Sequence, residues 1–286
     1  MKNKISILLP VYNDEKFIYQ SIKSIIINSY KFIEIVVIND GSTDSTVEII
    51  KKIKDNRIKI YSKENSGLID SLNYGLKKCS SEIIMRMDGD DEISKNKIEI
   101  QLLNFLKQKT VLMGTGGYVI NNNSEVKRKI NVPQKHKSIL NYLNQLKTSI
   151  IHPSIMFYKE AIIKAGCYDS KFYVAEDYEM YYRMSKIGNL SNINLPLISL
   201  RKNEENISLK KSSDQLLNTL IARKVYIENP IILSVNKKLY MDNKEKVCNS
   251  KVYLILNFLI KKINNTDKII EKIFYAILRK IALKFL

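Results

Sequence analysis

Apolar residues in the first 120 positions alternate between short continuous runs and a three-to-four spacing. Ile5–Val11 is an apolar run broken only by Ser6 and Pro10, the pattern of a strand covered on both faces. Over Asp14–Ser29 the apolar residues fall at Phe17, Ile18, Ile22, Ile25 and Ile26, one side of a helix. Ile33–Asn39 (IEIVVIN) returns to the strand pattern, and Thr43–Lys54 places Val47, Ile50 and Ile53 on one helical face. A short strand over Arg57–Tyr61, a helix over Leu68–Lys78, a strand over Glu82–Met87 and a helix over Lys95–Gln108 complete the series. Repeated β-α-β units predict an α/β fold with a doubly wound, mostly parallel sheet. Ligands in such sheets bind beyond the carboxyl ends of the strands, where Asp40 and the Asp88–Asp91 cluster fall.

From about residue 211 the pattern changes, predicting a domain over 1–210 and a helical extension over 211–286. Lys210–Ile227 reads as a helix with Leu216, Leu217, Leu220 and Ile221 on its apolar side. Beyond Pro230, KVYLILNFLIKKI and IIEKIFYAILRKIALKFL interleave basic residues with apolar stretches at helical spacing. Two readings are open: a basic amphipathic anchor at a membrane surface, or helices packed on the domain with their lysines solvated. Val252–Ile260 is too short to span a bilayer.

The 286 residues carry 47 Lys and Arg against 29 Asp and Glu, a formal net charge of +18. That charge suits nucleic acid, an anionic membrane, or merely a lysine-coated surface. The basic tail has few aromatics placed for base stacking and no nucleic-acid motif, so a nucleic-acid partner is not expected. Cys79, Cys167 and Cys248 are scattered and form no C-x-x-C, which argues against a zinc site or a disulfide framework. The first apolar run turns polar at Asn13, too soon for a signal peptide. The expectation is a cytoplasmic protein, peripheral at the inner face of the membrane.

The densest chemistry is MRMDGDD at Met85–Asp91, with three carboxylates released around Gly89 where a buried strand ends. Carboxylates this close repel one another unless a cation sits among them, and hard divalent ions take oxygen ligands. An acidic turn in solvent is the bland alternative for a lone D-x-D. No G-x-G-x-x-G follows the first strand, and no G-x-x-x-x-G-K-[ST] loop occurs, so phosphate charge must be met another way.

Several segments, in order, resemble the inverting family 2 glycosyltransferases of GT-A fold. They are ISILLPVYN at Ile5–Asn13, EIVVINDGSTDST at Glu34–Thr46, MDGDD at Met87–Asp91, HPSIMFYKE at His152–Glu160, and AGCYDSKF followed by AEDYEMYYR. The resemblance covers roughly residues 1–210. It implies transfer of a hexose or N-acetylhexosamine from a UDP-sugar to a glycan or lipid-linked acceptor in cell-surface polysaccharide biosynthesis. Mn²⁺ or Mg²⁺ would be held by Asp88 and Asp90, with Asp91 ligating or orienting. Tyr12 would border the uracil beside Pro10, or else serve the core. Asp40 would accept the uracil N–H, or else cap the following helix. Asn65, Gly67, Asn73 and Gly75 would line the nucleotide segment, with turn and packing roles open for the glycines. Asp177 would be the general base, with Glu176 beside it, or else a charged helix start. His152 would contact a substrate or shape the turn before Pro153.

Two departures from the family pattern stand out. Asn203 stands where a histidine often completes the metal site and could still offer its carbonyl oxygen, Arg201 or Lys202 could contact the diphosphate, and Leu72 stands where an arginine is common. The first departure keeps open a catalytically silent nucleotide-binding module on the same fold.

Overall fold

The computed structural model describes residues 3–147, 149–202, 212–228, 235 and 237–248. Strands β1 (Ile5–Val11), β2 (Ile33–Asp40), β3 (Ile58–Lys63) and β4 (Ile83–Arg86) pair in parallel in the order β3-β2-β1-β4. Helices α1 (Ile18–Ile26), α2 (Thr46–Lys52) and α3 (Leu68–Lys78) connect them, so the four carboxyl ends share one edge. Beyond β4 the sheet turns mixed. β8 (Met156–Tyr158) runs antiparallel between β4 and β6 (Leu112–Ile120), and β9 (Leu190–Arg201) pairs in parallel with β6. Short β5 (Glu92–Ile93) closes that side against β9, and β7 (Val126–Ile130) folds back on β6.

Apolar side chains fill both faces of the sheet. Ile5, Ile7 and Leu9 of β1 pack with α1 and with α4 (Lys97–Gln108) on one side. On the other, Leu8, Val36 and Ile38 lie beneath Leu72 and Leu76 of α3. Gly75 permits that approach, because a Cβ there would fall 2.2 Å from Leu8 Cδ1. The same cluster continues through α5 (His136–Asn144), α6 (Lys159–Lys164) and α7 (Glu176–Ile187) to Leu220, Ile221, Val225 and Tyr226 of α8 (Ser212–Glu228). A further helix, α9 (Lys237–Cys248), packs on α8 through Tyr240, whose hydroxyl donates to Asn218 Oδ1 at 2.8 Å.

The periodic pattern located every expected strand and helix of the first half, and the differences lie at the ends. The first helix starts at Ile18 rather than Asp14, because Asp14 accepts the Tyr12 N–H and gives its own N–H to Thr46 Oγ1. The second starts at Thr46 rather than Thr43, whose N–H goes to Asn13 Oδ1 at 2.8 Å. β3 runs two residues past Tyr61, since backbone pairing with β2 carries polar Ser62 and Lys63 into the sheet. Among the described residues no helix is long and apolar enough to cross a membrane. Asn203 and the basic run from residue 249 lie outside the described residues.

Candidate active site

Three side chains stand in a row at the carboxyl edge. The β1–β2 register pairs Val11 with Asn39, and β2–β3 pairs Asp40 with Lys63, so Tyr12, Asp40 and Lys63 follow one another across the strands. Tyr12 is 49% exposed and therefore not a core residue. Pro10 is buried within β1, in register with Ile38. Asp40 does not cap α2. Its carboxylate accepts the N–H groups of Ser66 at 3.0 Å and Gly67 at 2.8 Å and pairs with the Lys63 ammonium. Burial pushes the Asp40 pKa up, but Lys63 and the two N–H groups outweigh it and hold the group below its ordinary value. Asn65 is exposed and donates to the Asp40 carbonyl at 3.0 Å, so the loop into α3 is gathered around one carboxylate. Asn73 is spent on structure, exchanging hydrogen bonds with the Tyr168 backbone.

The Asp88–Asp91 turn lies next along the edge and is held from two sides. Arg86, fully enclosed at the end of β4, grips both oxygens of Asp88 at 2.5 and 2.9 Å. Arg201, at the end of β9, donates its side chain to the Asp90 carbonyl and its backbone N–H to Asp91 Oδ1. Its other donors go to the Asn121 and Asn122 carbonyls and to Glu92, with the guanidinium stacked 4.4 Å above Phe17. Arg201 is therefore a strut of the loop. Asp91, buried with its carboxylate on Arg201, fits the orienting role more than the ligating one.

A carboxylate that sequence reasoning missed joins this turn. Asp14 leans over Gly89 so closely that a Cβ there would fall 2.4 Å from Asp14 Oδ2. Burial first, then the charges of Asp90 and Asp88, push Asp14 up to about 7, and burial with Asp88 does the same to Asp90. These are hard oxygen donors short of positive charge. Among the described residues no three acidic, histidine or cysteine side chains form a closed metal cage. A pair of half-buried carboxylates, Asp88 and Asp90, suits an ion such as Mg²⁺ or Mn²⁺, which keeps water and phosphate in most of its positions.

The third part is the start of α7. Glu176 and Asp177 occupy its first turn, where the helix dipole favours the ionised form. Val174, a β-branched residue, is held at φ 59° just before it, a left-handed conformation such residues rarely adopt. The Arg86 guanidinium and the Asp88 carboxylate act electrostatically on both Glu176 and Asp177, so this helix start lies within electrostatic reach of the aspartate turn. Burial, then the neighbouring Asp177, push Glu176 up to about 7, and burial also raises Asp177. A half-buried Asp177 with a raised pKa is a competent proton acceptor near neutral pH. His152 is enclosed, 3.0 Å from the Tyr168 hydroxyl in the turn before β8, and burial keeps it neutral. That is the structural role of the two open for it. A cleft of about 760 Å³ lined by Gln108, Pro133, His136 and Asn192 has no carboxylate in its walls and offers no such chemistry.

The missed residues had faint signals. Arg86 interrupts an otherwise apolar strand, and Asp14 follows a strand end directly. Lys63 had none, because its place depends on how far β3 pairs.

Comparison with known proteins agrees with this geometry. The family model "Glycosyl transferase family 2" matches residues 6–166. The O-antigen biosynthesis glycosyltransferase WbnJ of Escherichia coli is 33% identical over 215 residues, spanning 73% of this chain and 83% of that protein. S. aureus TarS in complex with UDP-GlcNAc superposes with a TM-score of 0.66 at 19% identity, covering 86% of this chain and 72% of TarS. The mannosyltransferase PcManGT of Pyrobaculum calidifontis, in complex with GDP-Man and Mn²⁺, gives 0.62 at 13% identity, covering 99% and 86%. At such identities the two structures speak for the fold alone, which is GT-A. The sequence relationships carry the rest: the chain belongs to glycosyltransferase family 2.

Proposed function

We propose that the protein is an inverting glycosyltransferase that moves a hexose or N-acetylhexosamine from a UDP-sugar to a glycan or lipid-linked acceptor, in building a cell-surface polysaccharide. The observation that carries this reading is the nearness of Glu176 and Asp177 to the Asp88 carboxylate and to the buried Arg86 that grips it, close enough for both charges to act on them. One side meets the diphosphate and the other meets the acceptor hydroxyl. TarS, solved with UDP and with UDP-GlcNAc, and WbnJ, named for O-antigen biosynthesis, support the donor and the pathway class.

In this reading Tyr12 and Asp40 hold the uracil, with Asn65 and Gly67 fixing the β3–α3 loop around the Asp40 carboxylate. Asp88 and Asp90 would hold Mn²⁺ or Mg²⁺, which supplies Lewis-acid relief of charge on the leaving diphosphate. Asp177 takes the proton from the acceptor hydroxyl as that oxygen attacks the anomeric carbon opposite the diphosphate. In-line attack inverts the configuration, so an α-linked donor yields a β-linked product. A place at the inner membrane face would rest on the basic run from residue 249, which lies outside the described residues.

Calorimetric titration of UDP with and without Mn²⁺ tests the donor side. Metal-dependent binding is expected, and the absence of binding under both conditions overturns the UDP-sugar reading.

A further inference from the structure

We propose that Lys63 is a specificity-determining residue that, paired with Asp40, reads the base of the donor nucleotide as uracil. The proposal rests on the UDP-sugar reading and deepens it. Uracil presents an N3–H donor flanked by two carbonyl acceptors. A carboxylate beside an ammonium group is the complement of that edge, and the ends of β2 and β3 put the two groups in contact.

The local geometry leaves both groups able to serve. Asp40 Oδ2 accepts only the Gly67 N–H, at 2.8 Å, which leaves it a lone pair for N3–H. The three N–H groups of the Lys63 ammonium are shared among Asp40, the Ser66 hydroxyl, the Glu64 carbonyl at 3.2 Å and Asp70 at 3.0 Å. Ser66 and Glu64 offer neutral acceptors, which a base carbonyl replaces in kind. The Lys63 side chain is 14% exposed, so it reaches the surface without being free to wander. Tyr12, half exposed one strand over, supplies a flat face beside the pair. Leu72 is fully buried under α3, so the helix position where the family often carries arginine offers no cation here. The cation in contact with Asp40 is Lys63.

The ammonium is assigned to the C4 carbonyl, and there cytosine inverts both contacts. Its N3 is an acceptor that would face the carboxylate, and its amino group is a donor that would face the ammonium. A charge-assisted hydrogen bond of this kind is worth roughly tenfold or more in affinity.

The test is calorimetry of UDP and CDP, each with Mn²⁺, against the intact protein, Lys63→Met and Lys63→Arg, with thermal unfolding recorded for each. The expected result is a wild-type preference for UDP that shrinks by about tenfold or more in Lys63→Met and largely survives in Lys63→Arg. An unchanged UDP-to-CDP ratio in folded Lys63→Met overturns the proposal, as does a wild type that binds both equally. Should Lys63→Met fail to fold, 2-thio-UDP and 4-thio-UDP against the wild type decide it. Sulfur is a poor acceptor, so 4-thio-UDP must bind more weakly than 2-thio-UDP, and a 4-thio-UDP that binds like UDP overturns the role. A wild type that binds no UDP at all is a separate result and defeats the donor reading instead.

Discussion

At the scale of single residues, the site is a problem in placing negative charge where water is scarce. Asp14, Asp90, Asp91, Glu176 and Asp177 all have their pKa values pushed up by burial. Arg86 is the buried cation that Asp90, Asp91, Glu176 and Asp177 share, and its charge opposes the rise in all four. For Asp177 the consequence is functional, because a base must be ionised to take a proton. A raised pKa moves the acid limb of the rate profile toward neutral pH from the usual carboxylate range. Asp177→Asn should lower kcat by about 10²–10⁴-fold while UDP affinity by calorimetry stays close to wild type. A comparable loss of UDP binding would place Asp177 on the donor side instead. The aspartates were legible in the sequence because the motif is short and local. Arg86 as their common counter-ion was not, since nothing in the chain says which way a strand residue points at a sheet edge.

Among the elements, α7 shows how the fold aims a catalytic group. Arg183, one turn from the helix end, is enclosed with Glu179 in a buried ion pair. It also donates to the carbonyls of Ala165 and Cys167 at 2.6 Å, tying α7 to the loop that leads to Tyr168. Tyr226 of α8 donates to the same Glu179 carboxylate, so three elements converge on one buried charge pair. Arg183→Met leaves that carboxylate buried and unpaired and should cost about 3–5 kcal/mol in denaturant unfolding. Adding Glu179→Met should recover much of the loss, because an apolar pair needs no desolvation. No recovery would mean that the hydrogen bonds to the loop, and not the charge pair, hold the helix. Helix α7 begins where the E-D motif suggested, but its anchoring was unreadable, because Arg183, Ala165 and Tyr226 are distant in sequence.

On the scale of the whole molecule, the division near residue 210 meets a continuous core. Leu220, Ile221, Val225 and Tyr226 are enclosed in the cluster that holds Tyr181 and Tyr182 of α7, and the Tyr182 and Tyr226 rings stack 5.5 Å apart. A chain cut after residue 210 would expose that face of α7. It should unfold several degrees below the full chain in a thermal scan, or aggregate on expression. Equal melting temperatures would show the first 210 residues to be an independent unit.

The sequence by itself determined the α/β class, the order of the first strands and helices, and the family. Those properties are written in local periodicity and in motifs that span a few residues each. Tertiary structure alone decided what the motif residues touch. Only strand register sets Lys63 against Asp40. Only the return of β9 to the sheet brings Arg201 onto Asp90 and Asp91, where it braces the loop. Contacts between residues 20 to 110 apart depend on chain closure and packing, and no local pattern encodes either.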